Sequence, residues 1–261
     1  MNAGGDPRGI RVAVSTVIFA LEPGVSPEEF WAGGLDTALR AYSTGESSSL
    51  GRTLWMPLVR RLREPGEGRW ALPGGWLDPE ESLEAAAART LEETTGVRPA
   101  YLEQLFTFGD PGRSPDERVV SVVYWALVRP EETSDAIDDP NVRWFDPDRT
   151  RGLAFDHDTI IEYALGRLRT KLGYSQIAHA FLEPTFTLAE LREVYEIVLQ
   201  RPLDPANFRR AVESSGAVVD TGELRTGTPH RPPKLYRPVH PADAGPGGFV
   251  RVPIAPHLRR S

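Results

Sequence analysis

The 24 residues from Gly74 to Val97 constrain this chain more than any other stretch. They follow Leu72-Pro73, open on two glycines, and read Asp78-Pro79-Glu80-Glu81 before an alanine-rich run. Asp at an N-cap, Pro at the first helical position and Glu at the third make a helix start. Ala85–Ala88 are strong helix formers. Gly96 suits the residue just past a helix end. Capping and propensity do not ask for Gly75, Glu81, Arg89 and Glu93 at their spacings, so this helix carries more than structural information.

The spacing resembles the Nudix box, the loop-helix motif with which Nudix hydrolases hold Mg2+ against a diphosphate. That pattern is Gly, five residues, Glu, seven residues, then Arg-Glu-apolar-any-Glu-Glu-any-Gly-apolar. Gly75, Glu81, Arg89, Leu91, Glu93, Gly96 and Val97 fit it, whereas Thr90 and Thr94 stand where it asks for Glu. Helix positions three and four apart are neighbours, so 90, 93 and 94 share the face that carries three carboxylates in the family. Mg2+ takes oxygen ligands, commonly carboxylates, phosphates and water. Two threonines supply neither the anionic ligands nor a carboxylate base, and Glu92 is turned away by about 100°. The resemblance implies an N-terminal Nudix-type α/β/α sandwich with no catalytic residue and no required cofactor. Its remnant box is Gly75, Glu81, Arg89 and Glu93, with residual Mg2+ contact through Glu93 left open.

At 261 residues the chain allows one large or two ordinary domains. Its 40% apolar and 26% charged content is that of a soluble globular protein. No apolar run approaches the roughly 20 residues of a membrane span, so no membrane partner is expected. Val12–Leu21 is too polar and strand-like for a signal peptide. There is no Cys, which excludes disulfides and thiol catalysis, and five scattered His make no zinc site legible. A cytoplasmic location is the expectation. Charge is uneven. Residues 201–261 hold ten Lys/Arg against five Asp/Glu, while the net charge of the whole is −7. Such a split suggests nucleic-acid contact at one end.

Strands are expected at Val12–Leu21, Trp55–Arg61, Tyr101–Phe108, Val119–Val128 and around Trp144-Phe145, an interleaving that reads as a mixed α/β sandwich. Residues 22–51 read as an insertion with a short helix about 27–41 and a low-complexity loop. From Asp158 the apolar period becomes helical, and a second helix is expected over Ser175–Leu182. Thr187 and Glu190 form a capping box. It opens a helix with Leu188, Leu191, Val194, Tyr195 and Val198 on one side. After a turn containing Pro202, Asp204-Pro205 caps a helix over Ala206–Ser215 with Phe208 and Val212 inward. Two strands, 217–222 and 234–237, follow. Two helices, a tight turn and a hairpin are the layout of a winged helix-turn-helix. The expected organisation is an effector-sensing domain over 1–155, a helical connector over 156–182, a winged helix-turn-helix over 183–237 and a disordered tail over 238–261.

A degenerate Nudix domain followed by this segment resembles the Nudix-related transcriptional regulators, the NrtR family. The likeness extends to Trp70–Gly75, Tyr101–Pro111, Val119–Val122, Phe155–Asp158, Phe186–Glu196, Leu203–Arg210 and His230–Arg237. It implies a homodimeric repressor of NAD-metabolism genes that binds inverted-repeat operator DNA. It also implies an effector, ADP-ribose or a related NAD-derived nucleotide, that releases the DNA.

Candidate contacts follow from residue chemistry. In a helix-turn-helix the second helix enters the major groove. Asn207, Arg209 and Arg210 are its polar residues, and Asn can pair with adenine and Arg with guanine. Arg225, Arg231 and Lys234 fall on the wing, where phosphate contact is expected. For the effector, Arg60 and Arg61, the Gly74-Gly75 loop, and Arg113 and Arg118 surround the place where the family binds diphosphate. Trp76 could stack on adenine or pack in the core or at the rim, and Glu93 could make a weak Mg2+ contact. A satisfied structural role is expected for His157. Trp144 and Asp156-His157 lie near the domain junction in sequence, where they could couple the halves. Two other readings stand beside this one. One is an active ADP-ribose pyrophosphatase with an appended assembly domain, its metal site completed by Asp110, Asp116 or Glu117. The other is a constitutive DNA-binding protein whose Nudix domain only dimerises.

Overall fold

The computed structural model describes residues 9–23, 52–99, 101–129, 139–173, 177–227 and 232–239. Nearly all of the 22–51 insertion, Arg231 and the tail beyond residue 239 lie outside the described residues. The chain divides into two compact units, Met1–Ala164 and Leu165–Ser261. The division falls inside the range read as a helical connector over 156–182. No helix among the described residues is long and apolar enough to cross a membrane.

The first unit is organised by β1 (Arg11–Pro23) and β6 (Val119–Val128). Both are nearly unbroken apolar runs, the composition of strands covered on both faces. They pair in parallel from Arg11↔Val119 to Ala20↔Val128. The other edge of β1 is shared. β4 (Gly74–Trp76) takes Ala13 to Ser15, and β2 (Arg52–Arg60) takes Ala20 to Pro23, both antiparallel. β5 (Tyr101–Phe108) lies beyond β6, while β3 (Trp70–Ala71) and β7 (Val142–Phe145) flank β2. Side chains alternate along a strand. Val14 and Val122 pack with Ala86 and Ala87 of α1 (Leu83–Thr95), whereas Ala13, Ser15 and Ser121 point to the opposite face and line a cavity there.

Helix α1 begins later than the Asp78-Pro79 signal predicts. Ser82 is the N-cap, accepting from the Ala85 amide at 3.1 Å. Residues 78–81 form a turn instead, in which the Asp78 amide donates to Glu81 Oε1 and the Glu81 amide to Asp78 O. The reason is the Glu81 carboxylate, which accepts two bonds from Arg89. In one continuous helix these residues would be about 12 Å apart along the axis. The start is therefore surrendered to bring the two together. Gly96 ends the helix at φ 72°, as its sequence position suggests.

Helix α2 (His157–Leu172) spans the boundary between the units. In the second unit a 3-10 turn, Ile177–Phe181, replaces part of the helix expected over 175–182. The capping box opens α3 (Leu188–Leu199): the Glu190 amide donates to Thr187 Oγ1, and the Thr187 amide donates to Glu190 Oε2. Asp204 caps α4 (Pro205–Ser215), accepting from the Asn207 amide at 2.8 Å. Leu191, Val194, Tyr195 and Val198 of α3 are buried, as are Phe208 and Val212 of α4, and the Tyr195 and Phe208 rings meet edge-on. β8 (Val218–Leu224) and β9 (Lys234–Pro238) form the antiparallel hairpin. Phe186 and Tyr236 exchange backbone hydrogen bonds of 2.9 and 2.8 Å, and this ties the hairpin to the segment before α3.

Candidate functional site

The cavity in the first unit holds about 520 Å3, within the range of small-molecule sites. Its floor is set by strand register. Ser15 and Ser121 face each other with oxygens 3.2 Å apart. Gly74 brings the backbone of β4 against β1 so closely that an added Cβ would sit 2.4 Å from Val14 O.

Arg61, Gly74, Gly75, Trp76 and Arg113 line this cavity, while Arg60, Glu93 and Arg118 do not. Arg60 Nε donates to Gly68 O, and Arg118 Nη1 to the carbonyls of Asp110 and Val119. Arg113 is 6% exposed in its side chain and gives both Nε and Nη2 to Asp156, at 3.0 and 2.9 Å. It is a braced wall. Arg61 lies over the Phe155 ring, 4.6 Å from its centroid, and burial lowers its pKa. Arg63 also lines the cavity and makes no hydrogen bond or ion pair among the described residues. Arg61 and Arg63 are therefore the cations best placed for an anionic ligand.

Trp76 is 45% exposed, so it is not a core residue. The guanidinium of Arg11 lies 3.5 Å from its ring centroid, and Arg11 Nη1 donates to both oxygens of Glu117. A flat cation on an aromatic face is a favourable pairing, and together they form a planar rim suited to a heterocycle. Sequence reasoning missed Arg11, Arg63 and Phe155. The alternation Arg11, Ala13, Ser15 along β1 was a usable signal for the first. Phe155, at φ 56°, has no sequence signature. Positive φ is costly for a bulky side chain and marks functional or strained segments.

His157 is buried, and its Nδ1 accepts from the Leu72 amide at 2.9 Å. Burial pushes its imidazole down to about 4, opposed by Asp156 and aided by Arg113. The folded value is below the ordinary 6.5, so the unfolded chain holds the proton more tightly. This stabilisation is complete above pH 6.5, declines as pH falls, and is spent near pH 4. The full swing is about 3 kcal/mol. Denaturant unfolding between pH 7 and pH 5 is expected to show a steeper loss for wild type than for His157→Gln. Parallel curves would rule this out.

The remnant box is turned in on itself. Arg89 holds Glu81 by two hydrogen bonds and Glu93 by one of 3.2 Å, and its bonds to Arg89 lower the pKa of Glu81. Thr90 is 3% exposed, its hydroxyl donates to Ala86 O, and its methyl packs toward Gly75. The Thr94 hydroxyl donates to Thr90 O. Among the described residues no group of three His, Asp or Glu could hold a metal ion. Glu117, one candidate completing ligand, is engaged by Arg11. The residues present do not fit a Mg2+ site.

In the second unit Asn207, Arg209 and Arg210 are exposed on α4. Arg210 Nη2 donates to Asn207 Oδ1 at 3.0 Å and Arg209 pairs with Glu213. Lys234 on β9 pairs with Asp220 of β8. Arg225 is turned toward α3, pairing with Glu190 at 2.9 Å and Glu183 at 3.8 Å.

Family models match this chain at two places, the NUDIX domain over residues 51–164 and the NrtR DNA-binding winged helix domain over 178–237. The protein is thus of the class that joins a Nudix domain to a DNA-binding winged helix. It is 36% identical over 185 residues to the ADPR responsive transcriptional repressor NtrR of Acinetobacter baylyi, covering 69% of this chain and 74% of that protein. The crystal structure of Shewanella oneidensis NrtR complexed with a 27mer DNA matches at 32% identity and a TM-score of 0.66, over 87% of this chain and 93% of that one. The chain belongs to the NrtR family. Over 105 residues, 40% of this chain and 62% of the relative, it is also 34% identical to an ADP-ribose pyrophosphatase of Methanocaldococcus jannaschii.

Proposed function

We propose that this protein is an ADP-ribose-responsive repressor of NAD-metabolism genes, with a Nudix unit that senses its nucleotide without hydrolysing it. The carrying observation is the remnant box. Thr90 and Thr94 spend their hydroxyls on helix carbonyls, and Glu81 and Glu93 are both held by Arg89. The cavity beside it keeps what binding needs: Arg61 and Arg63 for a diphosphate, and the Arg11–Trp76 rim for a base. The repressor from Acinetobacter baylyi supports both the role and the effector class. Two copies would present their α4 helices to an inverted repeat about one DNA turn apart, roughly 34–36 Å. Ligand then releases DNA by binding the DNA-incompetent geometry more tightly, a coupling of about 1–3 kcal/mol.

The test is fluorescence anisotropy on the duplex upstream of the protein's own gene, titrated with ADP-ribose and then NAD at fixed salt. Specific binding reversed by ADP-ribose is the expected result. Absence of specific binding at any salt, with AMP released from ADP-ribose and Mg2+, would overturn it. That outcome is the pyrophosphatase reading, favoured by the retained Gly75, Glu81, Arg89 and Glu93 frame and by the archaeal relative. On the DNA side, Arg209→Ala and Arg210→Ala are each expected to weaken operator binding about 10- to 100-fold with the fold intact, the worth of a bidentate base contact. Unchanged affinity in both variants would remove α4 from the contact surface.

A further inference from the structure

We propose that a cleft in the second unit, centred on Arg192, is a binding site for one phosphodiester group of duplex DNA. The proposal rests on the DNA-binding reading and adds a residue and a subsite to it. The cleft, of about 250 Å3, is bounded by α3, the start of α4 and β9. Arg192, Arg209 and Lys234 line it, one from each of those elements, and no Asp or Glu does among the described residues. Leu188 and Phe208 supply apolar surface beside the cations, which suits the sugar carbons that flank a phosphate.

Arg192 is the informative member. Its Nε is buried and has no hydrogen-bond partner. The nearest carboxylate oxygen, Glu196 Oε1, is 3.6 Å away and already accepts from the Leu203 amide at 2.7 Å. A buried donor on a charged group is costly to leave unpaired. The cleft is therefore lined by three cations and by no carboxylate among the described residues, and one of those cations keeps a donor without a hydrogen-bond acceptor. Arg209 and Lys234 have carboxylate partners outside the cleft, Glu213 and Asp220. Those pairs are exposed and weak, and they exchange readily for a stronger anion. A tetrahedral oxyanion in the cleft would answer Arg192 and Lys234, leaving Arg209 for the bases. On a surface that also carries α4 and the hairpin, the DNA backbone presents such groups.

The experiment measures binding of labelled duplexes against salt, comparing wild type with Arg192→Gln, Arg192→Lys and Lys234→Gln. One duplex has random sequence and one is selected by the protein from a random pool. Each phosphate contact contributes about 0.9 to the slope of log K against log salt. Arg192→Gln is expected to lower that slope by about 0.9 on both duplexes, with a several-fold loss of affinity that is equal for the two. Arg192→Lys is expected to restore the slope, and Lys234→Gln, an exposed change, to lower it similarly. Thermal unfolding verifies that each variant is folded. An unchanged slope in both Gln variants, or a loss confined to the selected duplex, would overturn the cleft. If wild type itself binds neither duplex, the DNA-binding reading fails instead.

Discussion

Replacing Gly74 with alanine is expected to destabilise the first unit by about 3 kcal/mol or more, the upper end of overpacking costs. The new Cβ would lie 2.4 Å from Val14 O and 2.9 Å from Ser15 Cα. Both are backbone atoms of β1, so no side chain can yield. Gly74 is paired with Ser15 in the sheet, and relief would require β4 to leave it. The cavity floor would go with it. Gly75→Ala is a graded comparison, because its Cβ would meet only the Thr90 methyl, at 3.0 Å. Its expected cost is about 1 kcal/mol, and shortening that residue with Thr90→Ser should recover part of it. Gly112→Ala, with nothing within 4 Å, is the control. Urea unfolding of the three variants would check the ranking. Wild-type stability for Gly74→Ala would mean that β4 does not approach β1 in this way.

Arg113→Ala carries the second large effect. Arg113 is almost fully buried, and Asp156 keeps 23% of its side-chain surface. Removing the cation leaves the half-buried Asp156 carboxylate with its principal partner gone, and breaking such a pair costs about 3 kcal/mol. Asp156→Ala should cost a similar amount, since it strands the guanidinium. The double variant should fall well short of the sum, with a coupling of about 1–3 kcal/mol in a double-mutant cycle. Strict additivity would show that the two bonds contribute little. The pair also fixes the segment around Phe155, whose positive φ needs the surrounding contacts to hold it. Loss of Arg113 should therefore loosen that segment as well, visible as faster amide exchange at residues 154–157.

The sequence was most legible where the signal was local. Thr187 with Glu190, Asp204 with Pro205, and Gly96 at a helix end all act through bonds a few residues long, and each appears where it was read. The strands at β1 and β6 were also read from the sequence, though not their burial on both faces. What was missed came from distance. Ser82 displaced Asp78 as a cap because Arg89 draws Glu81 out of any earlier helix. Arg11 meets Trp76 only through the register of β1 with β4. Arg225 was read as a wing residue, yet its guanidinium reaches Glu190 of the capping box, 35 residues away in sequence. Arg192 gave no signal, since its significance lies in the bond that Glu196 accepts from the Leu203 amide instead.

The depressed titration of His157 also bears on signalling fidelity. A detector with an imidazole that titrates near neutrality would answer to acidity as well as to its ligand, and the two messages would be confounded. Here the ring stays neutral down to about pH 4, its nitrogen committed to the Leu72 amide. Across the neutral range this part of the cavity presents one constant charge state, so under the proposed function a drift in pH would not register through it as a change in ligand.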